Sequence, residues 1–156
     1  MKRILVMSDT HGNKVNIDKA LSKYGDADCI IHLGDYVRDA EYIRTLTGKK
    51  VYSVKGNCDF SGAKQELLLR IGGKSILALH GHRQGVKDSL LALGLYAAEK
   101  GADIVLFGHT HVPLEDFYEN VIMYNPGSLG EPRGRKPSLG IVTIEDGGIS
   151  IKSCMV

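Results

Sequence analysis

An aspartate and a histidine, two residues apart, follow the first apolar run of the chain. Asp9 and His11 come just after the run at residues 4–7. Because alternate side chains of an extended backbone point to the same side, these two side chains can reach one metal ion together. A turn that leads into a helix cap would explain the same pair, so the metal interpretation depends on the rest of the chain.

The same kinds of polar side chain recur after several later apolar runs that predict strands. Five of the six histidines lie at such positions, which a random scatter would not produce. The five clusters are Asp9 with His11, Asp35, Asn57 with Cys58 and Asp59, His80 with His82, and His109 with His111. Ligand sites of α/β sheets lie beyond the carboxyl ends of the strands. We therefore expect these clusters to converge in space, although they are far apart in the sequence.

The chemistry of these side chains favours two metal ions. Carboxylate, amide oxygen and imidazole suit Mn, Fe, Co, Ni or Zn, and seven such ligands are too many for one ion with open positions. Two divalent ions about 3.5–4 Å apart can clamp the attacking and leaving oxygens of a displacement at phosphorus, and they lower the pKa of a bridging water toward about 7. Asp9 and Asp35 only half neutralise two such ions, so the site would attract a phosphate although the whole chain has a net charge of +2.

The elements that must position these clusters alternate between strands and helices in the first half of the chain. Continuous apolar runs predict buried strands at residues 3–7, 29–31 and 51–54. Apolar residues at helical spacing predict helices at residues 13–24 and 38–46, each followed by a glycine. This alternation is typical of an α/β fold whose sheet is covered on both faces.

The second half changes to a pattern that becomes antiparallel toward its end. A hairpin is predicted over residues 67–79, then a helix over residues 86–100 whose apolar side is Leu90, Leu91, Leu93, Leu95 and Ala97. A buried strand should follow at residues 103–107. Antiparallel strands are predicted at residues 114–118, 121–124, 139–144 and 149–152. Residues 125–128 should form a turn, and residues 129–137, rich in Gly, Pro and Arg, a mobile loop.

Composition argues against several classes of protein. The 156 residues are enough for one domain, 1–156, with its own core. A net charge of +2, with no Lys or Arg cluster longer than a pair, gives no reason to expect nucleic-acid or membrane binding. The first apolar run is too short for a secretory signal, and no stretch approaches the roughly 20 apolar residues of a membrane span. Three widely spaced cysteines, Cys29, Cys58 and Cys154, indicate reduced thiols and a cytoplasmic protein.

Taken in order, the polar clusters resemble the motifs of a known family. These motifs are Asp9-x-His11, Gly34-Asp35, Gly56-Asn57-Cys58-Asp59, His80-Gly81-His82 and Gly108-His109-Thr110-His111. In them the chain is similar to the calcineurin-like metallophosphoesterases, and most of all to their small single-domain branch, the YfcE-like phosphodiesterases. The resemblance runs from Ser8 to about Ser128. It implies a four-layer α/β/β/α sandwich with two mixed sheets. It also implies hydrolysis of small phosphodiesters by a hydroxide that bridges two metal ions.

The resemblance further implies a role for each candidate ligand. Asp9, His11, Asp35 and His111 would hold the first metal ion. The second would be held by Asp35, Asn57, His80 and His109, so that Asp35 bridges the two ions. Such sharing is chemically reasonable because a carboxylate has two oxygens. We expect Mn, with Ni, Fe, Co or Zn as alternatives.

The sequence departs from the wider superfamily at Cys58, where many members have a histidine that is thought to protonate the leaving oxygen. A thiol of pKa about 8.5 can donate a proton at pH 7 but lacks the charge of an imidazolium. We therefore expect a preference for diesters with an acidic leaving group, such as an aryl alcohol. Inert packing of Cys58 is the alternative. Asp59 could orient a neighbour or cap a turn, and His82 could contact substrate or form a structural hydrogen bond.

Several assignments stay open at this point. Arg133 and Arg135 could bind a phosphate or nucleotide, or form a solvated basic loop, and His32 is interpreted as a packed strand histidine. A phosphomonoesterase or nucleotide hydrolase could use the same metals. A non-catalytic scaffold of the same fold, like the retromer subunit, is a further alternative, but here every ligand position is filled. We expect a small phosphoester as substrate and neither nucleic acid nor membrane as partner, and a homodimer or homotetramer stays open.

Overall fold

Two five-stranded sheets stack face to face in the computed structural model, which describes residues 1–60, 62–133 and 136–156. The strands are β1 (Lys2–Met7), β2 (Cys29–His32), β3 (Lys50–Ser53), β4 (Glu66–Ile71), β5 (Lys74–Leu79), β6 (Ile104–Leu106), β7 (Pro113–Tyr118), β8 (Val121–Pro126), β9 (Ser138–Glu145) and β10 (Gly148–Met155). The helices are α1 (Lys14–Tyr24), α2 (Val37–Thr47) and α3 (Leu91–Glu99), with a short 3-10 turn at His82–Gln84.

Both sheets are mixed. The first has the strand order β10-β9-β1-β2-β3, in which β1, β2 and β3 are parallel neighbours and β9 and β10 complete the sheet in antiparallel pairs. The second has the order β4-β5-β6-β8-β7, with parallel pairs in the centre and antiparallel strands at both edges. The two mixed sheets predicted for the fold are therefore confirmed.

Three apolar clusters hold the layers together. The residues of β1 are apolar on both faces because each face is buried in a different cluster. Ile4 and Val6 belong to the cluster between the sheets, and Leu5 and Met7 belong to the cluster between the first sheet and helices α1 and α2. A third cluster lies between the second sheet and α3. The order of layers is thus α/β/β/α, as the resemblance implied.

The first two helices form where the apolar spacing predicts them. The side chain of Asn13 accepts a hydrogen bond from the backbone N–H of Asn16 and so caps the start of α1. Helix α2 ends at Gly48, as predicted. Ala40 and Ile43 point from α2 into the cluster beneath it. Both helices cover the outer face of the first sheet.

The third helix is shorter than the sequence predicts, and the start assigned to residue 86 is wrong. Gly85 has φ +63° and its carbonyl accepts hydrogen bonds from two later N–H groups, which closes a turn instead of a helix. The hydroxyl oxygen of Ser89 then accepts the backbone N–H of Leu91, where α3 begins. Of the apolar side, Leu93 and Ala97 are buried and Leu90 packs against them as predicted, but the assignment is wrong for Leu91 and Leu95, which are 59% and 45% exposed.

Two other expectations for the second half need correction. Asn125 and Pro126 end strand β8, so the turn predicted at residues 125–128 is wrong over its first two residues, and β8 pairs with β6 in parallel. The loop at residues 129–137 is not mobile at its start, because Leu129 is fully buried and the Gly130 N–H donates to the Asp9 carbonyl at 3.0 Å. Gly134 and Arg135 of this loop lie outside the described residues.

The three cysteines differ in exposure. Cys29 and Cys154 are buried thiols and Cys58 is an exposed thiol. None of the helices in the described residues combines the length and apolar character that crossing a membrane requires.

Candidate metal centre

The loops that follow β1, β2, β3, β5 and β6 meet at one edge of the sandwich. Backbone hydrogen bonds tie them together: the Asp9 N–H donates to the Gly34 carbonyl at 3.0 Å, and the Gly108 N–H donates to the His80 carbonyl at 2.9 Å. The two sheets are joined across this edge because the His109 N–H donates to Asp9 Oδ2 at 3.1 Å. The polar clusters predicted at strand ends therefore converge.

Four of the predicted ligands form a compact group. One side-chain atom from each of Asp9, His11, Asp35 and His111 lies within 4.8 Å of the corresponding atoms of the other three. Asp9 Oδ1 has no hydrogen-bond partner, although His111 Nε2 lies only 3.1 Å away, and the buried His11 Nε2 has none either. A buried polar atom without a partner is costly. A cation shared by these atoms would remove that cost, so the residues fit a metal ion.

A second group adjoins the first and shares Asp35 with it. His80 Nε2 lies 3.1 Å from Asn57 Oδ1 and 3.5 Å from Asp35 Oδ2. The ring of His109 packs edge-on against the His80 ring, with centroids 5.1 Å apart. Asp35 Oδ2 also lies 3.6 Å from His11 Nε2. The Asp35 carboxylate is thus placed between the two groups.

Backbone carbonyls orient two of the histidines that are predicted as metal ligands. His80 Nδ1 lies 2.7 Å from the Leu33 carbonyl oxygen, and His111 Nδ1 lies 2.6 Å from that of Glu131. Because a carbonyl only accepts, each Nδ1 must carry the hydrogen, and in the neutral ring the Nε2 lone pair then faces the centre. Metal-bound histidines are typically fixed in this way.

The ligand loops hold an uncommon backbone conformation. Of the eight non-glycine residues with positive φ among the described residues, six lie at this site: Asp9, His11, Asp35, Tyr36, His109 and His111. Their φ values run from 46° to 74°. The left-handed region costs such residues roughly 1–2 kcal/mol each. Strain of this kind persists where the surroundings enforce it, and it concentrates at functional sites.

Two glycines of the motifs let the carboxylates approach the neighbouring loops. A Cβ on Gly108 would lie 2.0 Å from Ser8 Oγ and 2.6 Å from Asp9 Oδ2. A Cβ on Gly56 would lie 2.0 Å from Asp35 Oδ1. Atoms cannot pack this closely, so any larger residue at either position would displace the carboxylate. The glycines were visible in the sequence, but their function needs the packing of the loops.

The pKa values of Asp9 and His109 are shifted toward the forms that bind a cation, whereas Asp9 and His111 affect each other's pKa. Burial raises the pKa of the Asp9 carboxyl, but the neighbouring His111, His80 and Ser8 more than offset this, and the net pKa lies below the usual value. Asp9 in turn raises the pKa of His111. Burial, with the charges of His80 and Lys87, lowers the pKa of His109 to about 4, so that ring is neutral at pH 7 and free to bind metal.

Cys58 and Asp59 lie next to the ligands. The Cys58 N–H donates to Asp35 Oδ1 at 3.0 Å, and burial together with Asp35 raises the pKa of its thiol. Asp59 Oδ1 accepts the N–H groups of Tyr36 and Val37 at 2.9 and 2.8 Å, and Oδ2 accepts that of Gly56 at 2.8 Å. The Asp59 carboxylate therefore caps α2 and ties the Asp35 loop to the Asn57 loop.

His82 and Arg133 flank the centre on different sides. The His82 ring lies 5.4 Å from that of His80 and 6.0 Å from that of His109, and its buried Nδ1 has no hydrogen-bond partner. Burial and the charge of His80 lower the pKa of His82. Arg133 is exposed, and its backbone N–H donates to the His111 carbonyl at 3.3 Å. Arg135, its predicted companion, lies outside the described residues.

A buried polar network beneath the first ligand loop escaped the sequence reasoning. Thr10 Oγ1 donates to Asp39 Oδ2 at 2.5 Å and lies 2.9 Å from His32 Nε2. Asp39 Oδ2 also accepts the Gly12 N–H at 2.8 Å, and His32 Nδ1 accepts the Gly34 N–H at 3.2 Å. Asp39 looks like an ordinary acidic residue in the first turn of a helix, so only its burial reveals its role in holding the Asp9–His11 loop.

A cavity of about 450 Å³ opens beside the ligand group. His11 and Cys58 border it on the side of the ligands, and Tyr36, Arg38 and Phe60 form much of the remaining wall. No motif in the sequence predicts this cavity, since its aromatic residues come from two loops.

Comparison with known proteins identifies the family. The sequence profile of the calcineurin-like phosphoesterase superfamily domain matches residues 1–147. The chain is 36% identical over 153 residues to the probable metallophosphoesterase YsnB of Bacillus subtilis, which covers 96% of this chain and 88% of YsnB. It is 28% identical over 165 residues to the phosphodiesterase MJ0936 of Methanocaldococcus jannaschii, covering 92% of this chain and 93% of that protein. The chain belongs to the calcineurin-like phosphoesterase superfamily, which confirms the resemblance noted in its motifs.

Solved structures agree with this assignment. A conserved protein of Streptococcus pneumoniae, described as a predicted phosphoesterase, superposes with a TM-score of 0.85 at 31% identity, covering 99% of this chain and 89% of that one. Vps29 of Entamoeba histolytica superposes with a TM-score of 0.77 at 23% identity, covering 99% of both chains. The likeness to Vps29 shows a shared fold alone.

Proposed function

We propose that this chain is a phosphodiesterase that hydrolyses small phosphodiesters with two divalent metal ions, and that these ions are Mn. The observation that carries the proposal is that several side-chain oxygen and nitrogen atoms face one another across the centre without a hydrogen donor between them. Asp9 Oδ1 and His11 Nε2 are buried without a partner, and the Nε2 lone pairs of His80 and His111 are turned toward the same place. In this proposal the ligand sets are those that the family resemblance implies, with Asp35 shared.

The residues present would divide the work between them. Two divalent ions, when bound, would lower the pKa of a water toward about 7 and offset the charge of the phosphate. Asp9 and Asp35 supply the negative charge that holds the ions, and Leu33 and Glu131 keep the rings of His80 and His111 in place through their carbonyls. The raised pKa of the Cys58 thiol keeps it protonated at neutral pH, so Sγ can donate a proton to a leaving oxygen.

The extent and the location of the protein are also proposals. Both sheets contribute ligands, which supports one metallophosphoesterase domain over residues 1–156. The unpaired cysteines support a cytoplasmic protein. The cavity beside the ligands is of a size that suits a small substrate.

Hydrolysis of bis(p-nitrophenyl) phosphate by protein loaded with Mn tests the proposal. We expect turnover that chelation abolishes, two bound ions per chain, and a rate at least about 100-fold lower in Asp9→Asn. Such a loss exceeds the roughly 10- to 100-fold typical when only a hydrogen-bond partner of a ligand is removed. Asp26→Asn, whose carboxylate is fully exposed, is the matched control and should keep the wild-type rate. Full activity of Asp9→Asn would overturn the assignment.

A panel of phosphate esters separates the diesterase from its rivals. Monoesters, diesters and cyclic esters with a common leaving group should show faster turnover of the diesters. Among diesters, the rate should rise as the leaving alcohol becomes more acidic, because a thiol gives weaker help than an imidazolium. A flat dependence would contradict the prediction that the Cys58 thiol gives only weak help to poor leaving groups.

A protein-binding scaffold of the same fold is the second candidate, because the family resemblance leaves this alternative open. A scaffold would show no metal-dependent hydrolysis of any ester in the panel, whereas the filled ligand set favours catalysis.

A further inference from the structure

The cavity beside the metal centre is lined by aromatic and cationic side chains. It measures about 450 Å³, within the range of roughly 300–1,000 Å³ typical of small-molecule sites. Two aromatic side chains, Tyr36 and Phe60, and one cation, Arg38, line it together with His11 and Cys58. No metal ligand except His11 takes part in its wall, so the cavity extends away from the reacting centre.

The Tyr36 ring lies against a predicted metal ligand, at a residue with an uncommon backbone conformation. The residue has φ 74°, in the left-handed region, and it makes no side-chain cap for α2 that would compensate for this cost. Its N–H is bound by Asp59 Oδ1, and its ring lies against His11, with centroids 5.4 Å apart, and close to Gly12. The backbone therefore holds a flat aromatic surface directly beside a metal ligand.

Phe60 and Arg38 complete an aromatic and cationic wall. Phe60 is 100% exposed, an unusual state for a large apolar ring at a cavity. The Arg38 guanidinium carbon lies 5.2 Å from the centroid of the Tyr36 ring. The Asp59 carboxylate also borders the cavity, and both of its oxygens accept backbone N–H groups. Planar rings stack on such surfaces, and guanidinium groups pack against ring faces.

We propose that this cavity is a subsite for a planar aromatic substituent of the substrate phosphoester, stacked between Tyr36 and Phe60 with Arg38 at its edge. The inference rests on the proposed function, since the phosphoryl group must be held at the metal ligands. His11 belongs both to the ligand group and to the cavity wall. One ester substituent of a bound phosphate can therefore enter the cavity while the phosphorus stays at the centre. An aryl ester and a nucleoside ester share this chemistry.

Binding of two pairs of phosphorus compounds to Mn-loaded protein, measured by calorimetry, tests the subsite without turnover. Phenylphosphonate and methylphosphonate carry the same anion, and only the first has a ring. Adenosine 5′-phosphate and ribose 5-phosphate form the corresponding pair for a nucleobase. We expect the aromatic member to bind about tenfold more tightly in at least one pair, from two stacking contacts.

Three variants locate the effect. Phe60→Leu should reduce the aromatic preference at least threefold, and because its side chain is fully exposed the fold should be unaffected. Tyr36→Leu should do the same. Phe117→Ala, at another exposed ring on β7, should keep the full preference. A preference in the phenyl pair alone identifies an aryl ester, and one in the adenosine pair identifies a nucleoside ester.

The two proposals fail in different ways. Equal binding of both members in both pairs overturns the subsite, as does a preference that survives Phe60→Leu and Tyr36→Leu. In either case the proposed phosphodiesterase stands if methylphosphonate still binds in a metal-dependent way. Loss of metal-dependent binding of methylphosphonate, together with absence of hydrolysis, overturns the phosphodiesterase itself.

Discussion

Replacing Gly108 by alanine should disable the metal centre without removing a single ligand. The new Cβ would lie 2.0 Å from Ser8 Oγ, 2.6 Å from Asp9 Oδ2 and 3.0 Å from Ser8 Cβ. Contacts to a Cβ below 3.0 Å essentially do not occur, so the Ser8 hydroxyl must move by about 1 Å. Ser8 is fully buried and donates to Asp9 Oδ2 at 2.5 Å, which passes the displacement on to the carboxylate.

The size of the effect follows from this displacement. Misplacing a reacting or positioning group by about 1 Å can cost roughly 100-fold in rate, and forcing a methyl group into a packed interior typically costs about 1–3 kcal/mol of stability. We therefore expect Gly108→Ala to lose about 100-fold in Mn-dependent hydrolysis of bis(p-nitrophenyl) phosphate. Its free energy of unfolding in urea should fall by about 1–3 kcal/mol.

Two further variants make the test specific. Gly148→Ala, where the new Cβ would have only an ordinary 3.4 Å contact with the Glu145 carbonyl, should change neither the rate nor the stability. Ser8→Ala combined with Gly108→Ala removes the 2.0 Å contact and should recover part of the stability. If Gly108→Ala kept the wild-type rate and the wild-type stability, the close approach of these two loops would not be what positions Asp9.

Three other measurements probe the surroundings of the centre. Asp39→Ala removes the acceptor of the Thr10 hydroxyl and the Gly12 N–H, and it should lower the free energy of unfolding by about 1–3 kcal/mol. An unchanged free energy of unfolding in a urea titration would show that this network does not stabilise the ligand loop. His32 is fully buried, and burial lowers its pKa. Below pH 6.5 the unfolded chain therefore binds a proton that the folded chain resists, and the free energy of unfolding falls with the pH by up to about 1.4 kcal/mol per pH unit. His32→Gln, compared with wild type at pH 7.5 and 5.5 in chelator, should show a smaller change of this free energy with pH. Mn at 100 times its dissociation constant should raise the free energy of unfolding by about 2.7 kcal/mol over chelated protein, an increase that a Tm scan would detect and that Asp9→Asn should lack.

Much of the fold could be predicted because local sequence patterns encode it. The residues of β1 are apolar without interruption since one face meets the second sheet and the other meets α1 and α2. Prediction failed for the start of α3, where Leu90 and Leu91 continue the helical spacing but Gly85 and Ser89 close a turn first. Apolar periodicity marks the residues that can be buried, whereas hydrogen bonds of single residues decide where an element begins.

The candidate site divides in the same way. The types of its residues and their position after strands are properties of the sequence, and so is the match of their motifs to the superfamily. These features predicted a metal site from seven residues, and the structure places those residues around one centre. The identity and number of the bound ions are predictions, which the metal content of the loaded protein tests.

What the sequence determined by itself is therefore a list of chemical groups and the elements that carry them. The tertiary structure alone decided which groups meet: the Asp9 carboxylate against the Gly108 loop of the other sheet, Asp39 beneath Thr10, and Tyr36 with Phe60 around one cavity. The physical reason is that these contacts join loops far apart in the chain. Their distances depend on the order of strands in two sheets and on how the sheets stack, and no local pattern of residues contains that information.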